Sequence, residues 1–320
     1  MAKCNAMWRA ILGGTVRAVL VGGVLAATTV PAFAAKPGKG GGGGVGTPTP
    51  TGNDVSYPQC GGSFPSGQAF GIVGLNDGLA NNLNPCLGPS SSYTGSELYW
   101  AVVTSTGATA QPKASLYVNT ADPGNLYNGT PIADWPTSGS TPYGACMTTT
   151  VTTNAGIATV GQNSPACAWE YGFERASKDA SWLVAAADTI NLQHPPVAVP
   201  ATVAGYPWWL DVETANSWQS GVSGQAMNIA DLQGMIAALQ QAGATTIGAY
   251  STSAQWDQVT GGTTSASGSL YGMPDWIPGA RKLSGAQSNC SLPSFTGGKV
   301  AITQWFGRPY DGDYACPAAP

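Results

Sequence analysis

Residues 206–213 read Tyr206-Pro207-Trp208-Trp209-Leu210-Asp211-Val212-Glu213, an apolar run that ends in two carboxylates two residues apart. The run is apolar at consecutive positions, not alternate ones, which is the pattern of a parallel strand covered on both faces. Positions i and i+2 of a strand share a face, so Asp211 and Glu213 project together with Cβ atoms roughly 6–7 Å apart. In α/β barrels the chemistry sits at the carboxyl ends of such strands, and this pair falls there. An isolated Asp-x-Glu is ordinarily a helix cap followed by a solvated residue. This chain, however, carries only 28 charged residues in 320, well below the usual share of about 25%. Two acids on a tryptophan-rich strand therefore mark a candidate site.

Outward from this strand, short β-rich runs alternate with helical stretches. Asp54–Tyr57, Phe70–Leu75, Ala114–Asn119, Thr246–Tyr250, Asp275–Ile277 and Val300–Trp305 join Tyr206–Val212 as candidate strands. A helix is expected over Ile229–Ala242, where Ile229, Leu232, Ile236 and Leu239 form one stripe between a cap at Asn228 and Gly243 just past the end. Others are expected over Trp169–Ala187, Ser96–Val103 and Ser253–Val259. The stretch from Asp122 to Cys167 is long and rich in Thr, Gly and Pro, of the kind that serves a site or holds a disulfide. Alternating β and α units over residues 53–320 predict the α/β class and one domain, a modified TIM-like β/α barrel stapled by disulfides.

The first 34 residues carry Lys3, Arg9 and Arg17, an apolar stretch from Ala18 to Thr29 and the small-x-small motif Ala32-Phe33-Ala34, the signature of an export signal. Residues 35–52, rich in Gly, Pro and Thr, form a linker. No later run approaches ~18 apolar residues, so no membrane span is expected after signal cleavage. Without the leader, nine Lys and Arg stand against 16 acids, a net charge of −7 with His194 neutral. The basic footprint of a nucleic-acid binder is missing, and the same charge offers no general attraction to an anionic surface.

Cys4 leaves with the signal, and the six remaining cysteines of an exported chain point to disulfides. Their connectivity is open, with Cys60–Cys86, Cys146–Cys167 and Cys290–Cys316 the most economical pairing by sequence. No Cys-x2-Cys occurs and one histidine cannot build a zinc cluster, so neither a metal site nor a cofactor is expected. A Ser-His-Asp hydrolase is disfavoured, since there is no Gly-x-Ser-x-Gly turn and His194 lies in a proline-flanked loop.

Asn53-Asp54-Val55-Ser56-Tyr57 stands at the first strand, Trp209-Leu210-Asp211-Val212-Glu213 at the fourth, and Gln304-Trp305 followed by Asp311-Gly312-Asp313-Tyr314 near the end. In this order they resemble the family 25 glycoside hydrolases, the secreted muramidases of the lysozyme type. Those sequences open with an Asp-Val-Ser strand, carry Leu-Asp-x-Glu in mid-chain and close with a Trp-Gln-Tyr-like strand followed by an Asp. Phe70–Leu75, Gly248–Thr252 and Pro274–Ile277 are similar to further strands of the family, so the likeness spans most of residues 53–315. The resemblance implies Glu213 as general acid with Asp211 beside it, Asp54 and Asp313 (in preference to Asp311) completing the carboxylate cluster, a barrel with reduced later helices, and peptidoglycan glycan as substrate. The chain departs from the family at Asn76-Asp77-Gly78, in place of a Thr-Glu-Gly-like turn, and at Leu116–Asn119, in place of Tyr-His-Phe. An insertion with its own cysteine pair also precedes the Asp-x-Glu strand.

The chemistry is coherent without the family. Glycosidic cleavage needs one carboxyl that keeps its proton for the leaving oxygen and another that stays ionised. Clustered acids achieve that split by raising one another's pKa. Tyr57, Trp208, Trp209, Tyr250, Trp276 and Trp305 are expected to line a groove where sugar rings stack. The expectation is a secreted, monomeric glycosidase acting on cell-wall peptidoglycan. The alternative is a non-catalytic wall or carbohydrate-binding protein on the same barrel.

Overall fold

A computed structural model describes residues 49–89, 95–262 and 264–317. The expected export signal and nearly all of the linker fall outside them. Eight strands close a barrel: β1 (Gly52–Val55), β2 (Gly71–Gly74), β3 (Ala114–Asn119), β4 (Trp208–Asp211), β5 (Ile247–Tyr250), β6 (Asp275–Ala280), β7 (Val300–Trp305) and β8 (Gly312–Ala315). The first seven run parallel in chain order. The eighth returns antiparallel between β7 and β1 and closes the ring.

The helices are α1 (Glu97–Thr104), α2 (Pro165–Gln193), α3 (Gly221–Gln241), α4 (Ser253–Thr260) and α5 (Leu283–Asn289). They shrink along the chain, from 29 residues in α2 to seven in α5. No helix among the described residues is long and apolar enough to cross a membrane. The chain closes the disulfides Cys60–Cys86, Cys146–Cys167 and Cys290–Cys316.

Several expectations need correction. The expected linker runs through residue 52, but Gly52 already belongs to β1. That strand ends at Val55, and Tyr57–Gln59 form a single 3-10 turn with Pro58 early in it. Helix α3 starts at Gly221, well before the expected cap. Its first turns, Gly-Val-Ser-Gly-Gln-Ala-Met, carry no apolar stripe to betray them. Asn228 is therefore inside the helix and fully buried, its amide donating to the carbonyls of Gln219 and Val259 at 2.9 and 2.8 Å. The irregular stretch before α2 folds into three small hairpins, the largest pairing Thr148–Thr153 with Gly156–Gly161.

The period-2 alternation of strands sorts the apolar residues into two layers. Val55, Val73, Leu116, Val118, Trp208, Leu210 and Val212 face outward and pack with Leu183 and Ile190 of α2 and Leu232 and Ile236 of α3. Phe70, Ile72, Trp209, Trp276 and Ile302 fill the barrel interior, with Tyr117 and Tyr250 against them. Trp208 and Trp209, adjacent in sequence, thus go to opposite layers, which is why the strand reads as apolar throughout. An eight-stranded barrel has room only for side chains. Here Gly248 of β5 leaves the space that the Trp209 ring occupies, and any β-carbon there would fall inside the ring. Outside, α2 and α3 approach closely where Gly172 meets the backbone of Asp231 and Gly234 meets that of Trp169.

Candidate active site

The parallel strands bring the carboxyl ends of β1 and β4 to one mouth of the barrel. Asp54 lies near the end of β1, Asp211 ends β4, and Glu213 follows two residues later. Antiparallel β8 starts at this same mouth and sets Asp313 opposite Gly52 on one side and Gln304 on the other. The loop carrying Glu213 is pinned from both flanking strands. Thr120 Oγ1 donates to the Asp211 carbonyl at 2.6 Å, Ser251 Oγ to that of Val212 at 2.7 Å, and Trp218 Nε1 to that of Glu213 at 2.9 Å.

Tyr250 shows that the four acids converge. Its phenol is pushed well above the ordinary range by burial and then by the charges of Glu213, Asp211, Asp54 and Asp313, so one side chain lies within electrostatic reach of all four. None of the four has a cationic partner among the influences on it. Burial is the first cause of every shift, because a desolvated carboxylate is costly. Asp54 rises to about 6, with the Asp311 charge as second cause. Asp211 stands well above the carboxylate range through burial, Glu213 and Asp54. Asp313 does so through burial and Asp54, while Glu213 is raised by burial.

Hydrogen bonds divide the acids further. Tyr250 Oη donates to Gln304 Oε1 at 3.0 Å, and Gln304 Nε2 donates to Asp54 Oδ2 at 3.0 Å. Trp276 Nε1 donates to Asp313 Oδ1 at 3.0 Å. Contact with Asp313 lowers the pKa of Asp54 and raises that of Asp313, so of the two Asp54 is the one that ionises first. Gln304 and Asp313 thus both favour Asp54 as the carboxylate. Asp311 lies at the edge of the cluster: it is half-buried, its charge raises both Asp54 and Asp313, and its Oδ1 accepts the Gly307 N–H at 2.8 Å as part of the β7–β8 turn.

Among the groove aromatics, Tyr57 and Tyr250 are half-buried at the mouth, while Trp305, of opposite parity to Gln304, is half-buried with its ring against Gly312 on the outer face of the barrel. Trp209 and Trp276 were expected to contact sugar and do not line the surface, being 1% and 2% exposed. They are the packed floor, Trp276 meeting Trp209, Tyr250 and Tyr117 edge-on. Trp208 is likewise buried, in the outer layer. Two residues with a place in the cluster were given no role by the sequence reading. Gln304 anchors Asp54. Tyr117, near the end of β3, is hydrogen-bonded to Ser56 and feels the charges of Asp54 and Asp211. Among the described residues, one trio of potential metal donors lies within reach of a single ion, Cys60, Cys86 and Glu97, and its sulfurs are bonded to each other.

Against this geometry stand three comparisons. The family described as Lysozyme-like protein 1 matches residues 203–271, which hold both Asp211 and Glu213. The middle of the chain is lysozyme-like. Among solved structures, the chain is similar to a muramidase from Trichobolus zukalii at 15% identity and TM-score 0.38, covering 84% of this chain and 95% of that one. It is similar to the bacterial lysozyme from Streptomyces coelicolor at 13% identity and TM-score 0.40, over 85% and 94%. A glycosyl hydrolase 25 of Streptococcus pneumoniae follows at 15% and 0.37, over 84% and 87%. No curated protein sequence matches the chain.

Proposed function

We propose that this chain is a secreted glycoside hydrolase that cleaves the glycan of bacterial peptidoglycan by carboxylate acid/base catalysis. The observation that carries the reading is the unlike surroundings of two half-buried acids at one mouth. Glu213 is raised by burial, and among the described residues no hydrogen bond reaches its carboxylate, so its surroundings favour the protonated form that a general acid needs. Asp54, held by Gln304 and Asp313, is ionised above about pH 6 and faces the developing positive charge of the sugar ring. That division is what glycosidic cleavage asks of a carboxylate pair.

Asp211 is pushed well above the carboxylate range by burial and then by the charges of Glu213 and Asp54, so it is the acid of the group that most resists ionisation beside them. Tyr57 and Tyr250 are the accessible aromatic surfaces beside the acids for sugar rings. The lysozyme-like match over the Asp-x-Glu segment supports the same substrate class. The test is release of reducing ends from purified peptidoglycan, with mass analysis of the products. New muramic acid or glucosamine reducing termini are expected. Binding to peptidoglycan without any new terminus would replace the enzyme reading with the carbohydrate-binding one.

A further inference from the structure

A net charge of −4 and a carboxylate-lined mouth should repel a wall polymer that itself carries carboxylates, yet the basic residues are not evenly spread. From residue 53 onward the chain has seven Lys and Arg, and three of them, Arg281, Lys282 and Arg308, lie at the same end of the barrel as the acids. Arg281 and Lys282 directly follow β6, and Arg308 sits in the turn from β7 to β8. The two segments are tied together, Ala280 pairing with Trp305 and accepting the Phe306 N–H at 3.0 Å.

All three cations are exposed, and among the described residues none pairs with an acid; the ion pair found there is Arg175–Asp134. The nearest acid along the turn, Asp311, is turned to the Gly307 N–H instead. Local structure does not account for the cations either. Lys282 occupies the N-cap of α5 without a capping hydrogen bond, a position that favours Ser, Thr, Asp or Asn. Between the two basic segments, Phe306 is 63% exposed and Trp305 half-buried.

We infer that Arg281, Lys282 and Arg308 form a rim that receives the carboxylates of the peptide stems on the glycan strand being cleaved. This rests on the glycosidase reading for the identity of the strand. A glycan lying across the acids carries its stems to the edge of the mouth, and on the β6–β8 side that edge is basic. Unpaired rim cations beside a negative centre set orientation and capture of an anionic ligand, with a strong dependence on salt.

The experiment measures co-sedimentation of the chain with peptidoglycan stripped of wall polymers by hydrofluoric acid. Two chains are compared, Glu213→Gln alone and Glu213→Gln carrying Arg281→Glu, Lys282→Glu and Arg308→Glu, so that no turnover intrudes. The charge-reversed chain is expected to bind roughly ten-fold more weakly at low salt, with the difference vanishing as NaCl rises to about 0.5 M. On peptidoglycan whose carboxylates have been converted to amides with carbodiimide and ammonia, the two chains should bind alike. Equal binding to the unmodified material overturns the rim, provided both chains melt at the same temperature. A difference that persists on the amidated material also overturns it, because the ligand is then not a carboxylate. Since binding is the readout, failure of the native chain to release reducing ends would remove the glycosidase reading while leaving this result to stand or fall separately.

Discussion

Two sets of buried acids in this chain have raised pKa values and different company. Outside the acid cluster, Glu97 at about 7 accepts from Asn84 Nδ2 at 2.7 Å, and Asp179 at about 7 from Asn76 Nδ2 at 3.0 Å. Asp122 at about 6 accepts from Gln219 Nε2 at 2.8 Å. Each has a neutral amide of its own, and all three are sealed from solvent. At the mouth, Asp54 also rises to about 6, but there carboxyl faces carboxyl, two of the four acids remain half-buried, and contact between Asp54 and Asp313 lowers the first while raising the second. A raised pKa therefore reports burial in both regions. Like-charge company and access to solvent are what separate a reactive group of acids from an embedded one.

The sharpest way to break that contrast is to neutralise one acid from each set. Glu213→Gln removes a transferable proton and almost no volume, so hydrolysis should fall by about three orders of magnitude or more while the melting temperature stays nearly constant. Glu97→Gln should leave turnover unchanged, because its oxygen still accepts from Asn84. Initial rates and melting curves on both variants decide the matter. Comparable loss of activity in the two would erase the distinction between the regions.

The next effect is on the pH profile. On the proposed roles, rates should drop about ten-fold per pH unit below about pH 6 as Asp54 takes up a proton, with a separate alkaline limb where the raised Glu213 carboxyl ionises. An activity that holds constant from pH 7 down to pH 4 would exclude Asp54 from the ionised role.

Much of this was legible in the chain. Six of the eight strands announce themselves as apolar, β-branched or aromatic runs, β1 is anticipated only over Asp54 and Val55, and parity alone places Asp211 on the face of Trp209. What parity does not contain is depth. Trp209 and Asp211 share the interior, but only barrel closure makes the first a sealed floor and the second part of a mouth. Strand β8, Gly312-Asp313-Tyr314-Ala315, has no apolar run, since it closes the ring at a point where Asp313 replaces a core side chain. The role of Gln304 was hidden for a related reason. Its partners Asp54 and Tyr250 lie 250 and 54 residues away, and only the registers of β1, β5, β7 and β8 bring them together.

Stability offers a third, smaller effect, in which the embedded acids dominate. Glu97, Asp122 and Asp179 have folded-state values above their ordinary ones, so the folded chain holds protons that the unfolded chain has released. Their contribution is fully present below about pH 4 and is lost as pH rises through 6 to 7. The melting temperature should be higher at pH 4.5 than at pH 7.5, by about 5 °C or more. Asp179→Asn, which keeps an oxygen for Asn76 but cannot ionise, should flatten that slope without touching the activity profile. A melting temperature that rises with pH over this window would contradict the burial of these groups.

The smallest expected effect separates anchoring from acidity within the mouth itself. Tyr250→Phe leaves the ring against Trp276 but removes the hydroxyl that donates to Gln304 Oε1. With that oxygen unclaimed, the amide is free to turn, and Asp54 faces Nε2 for only part of the time. One neutral hydrogen bond is worth about 0.5–1.5 kcal/mol, so the rate should fall only about two- to ten-fold. The direction of the pH shift is the more telling readout. Losing a donor disfavours the ionised carboxylate, which raises the pKa of Asp54 and moves the acid limb of the profile to higher pH, while the alkaline limb set by Glu213 keeps its shape. Gln304→Glu should push the same limb further in the same direction, since it puts a like charge on Asp54. If Tyr250→Phe lowers the rate uniformly across pH, the phenol acts on the sugar and not through Gln304, and the anchoring chain from β5 through β7 to β1 has no part in setting the charge of Asp54.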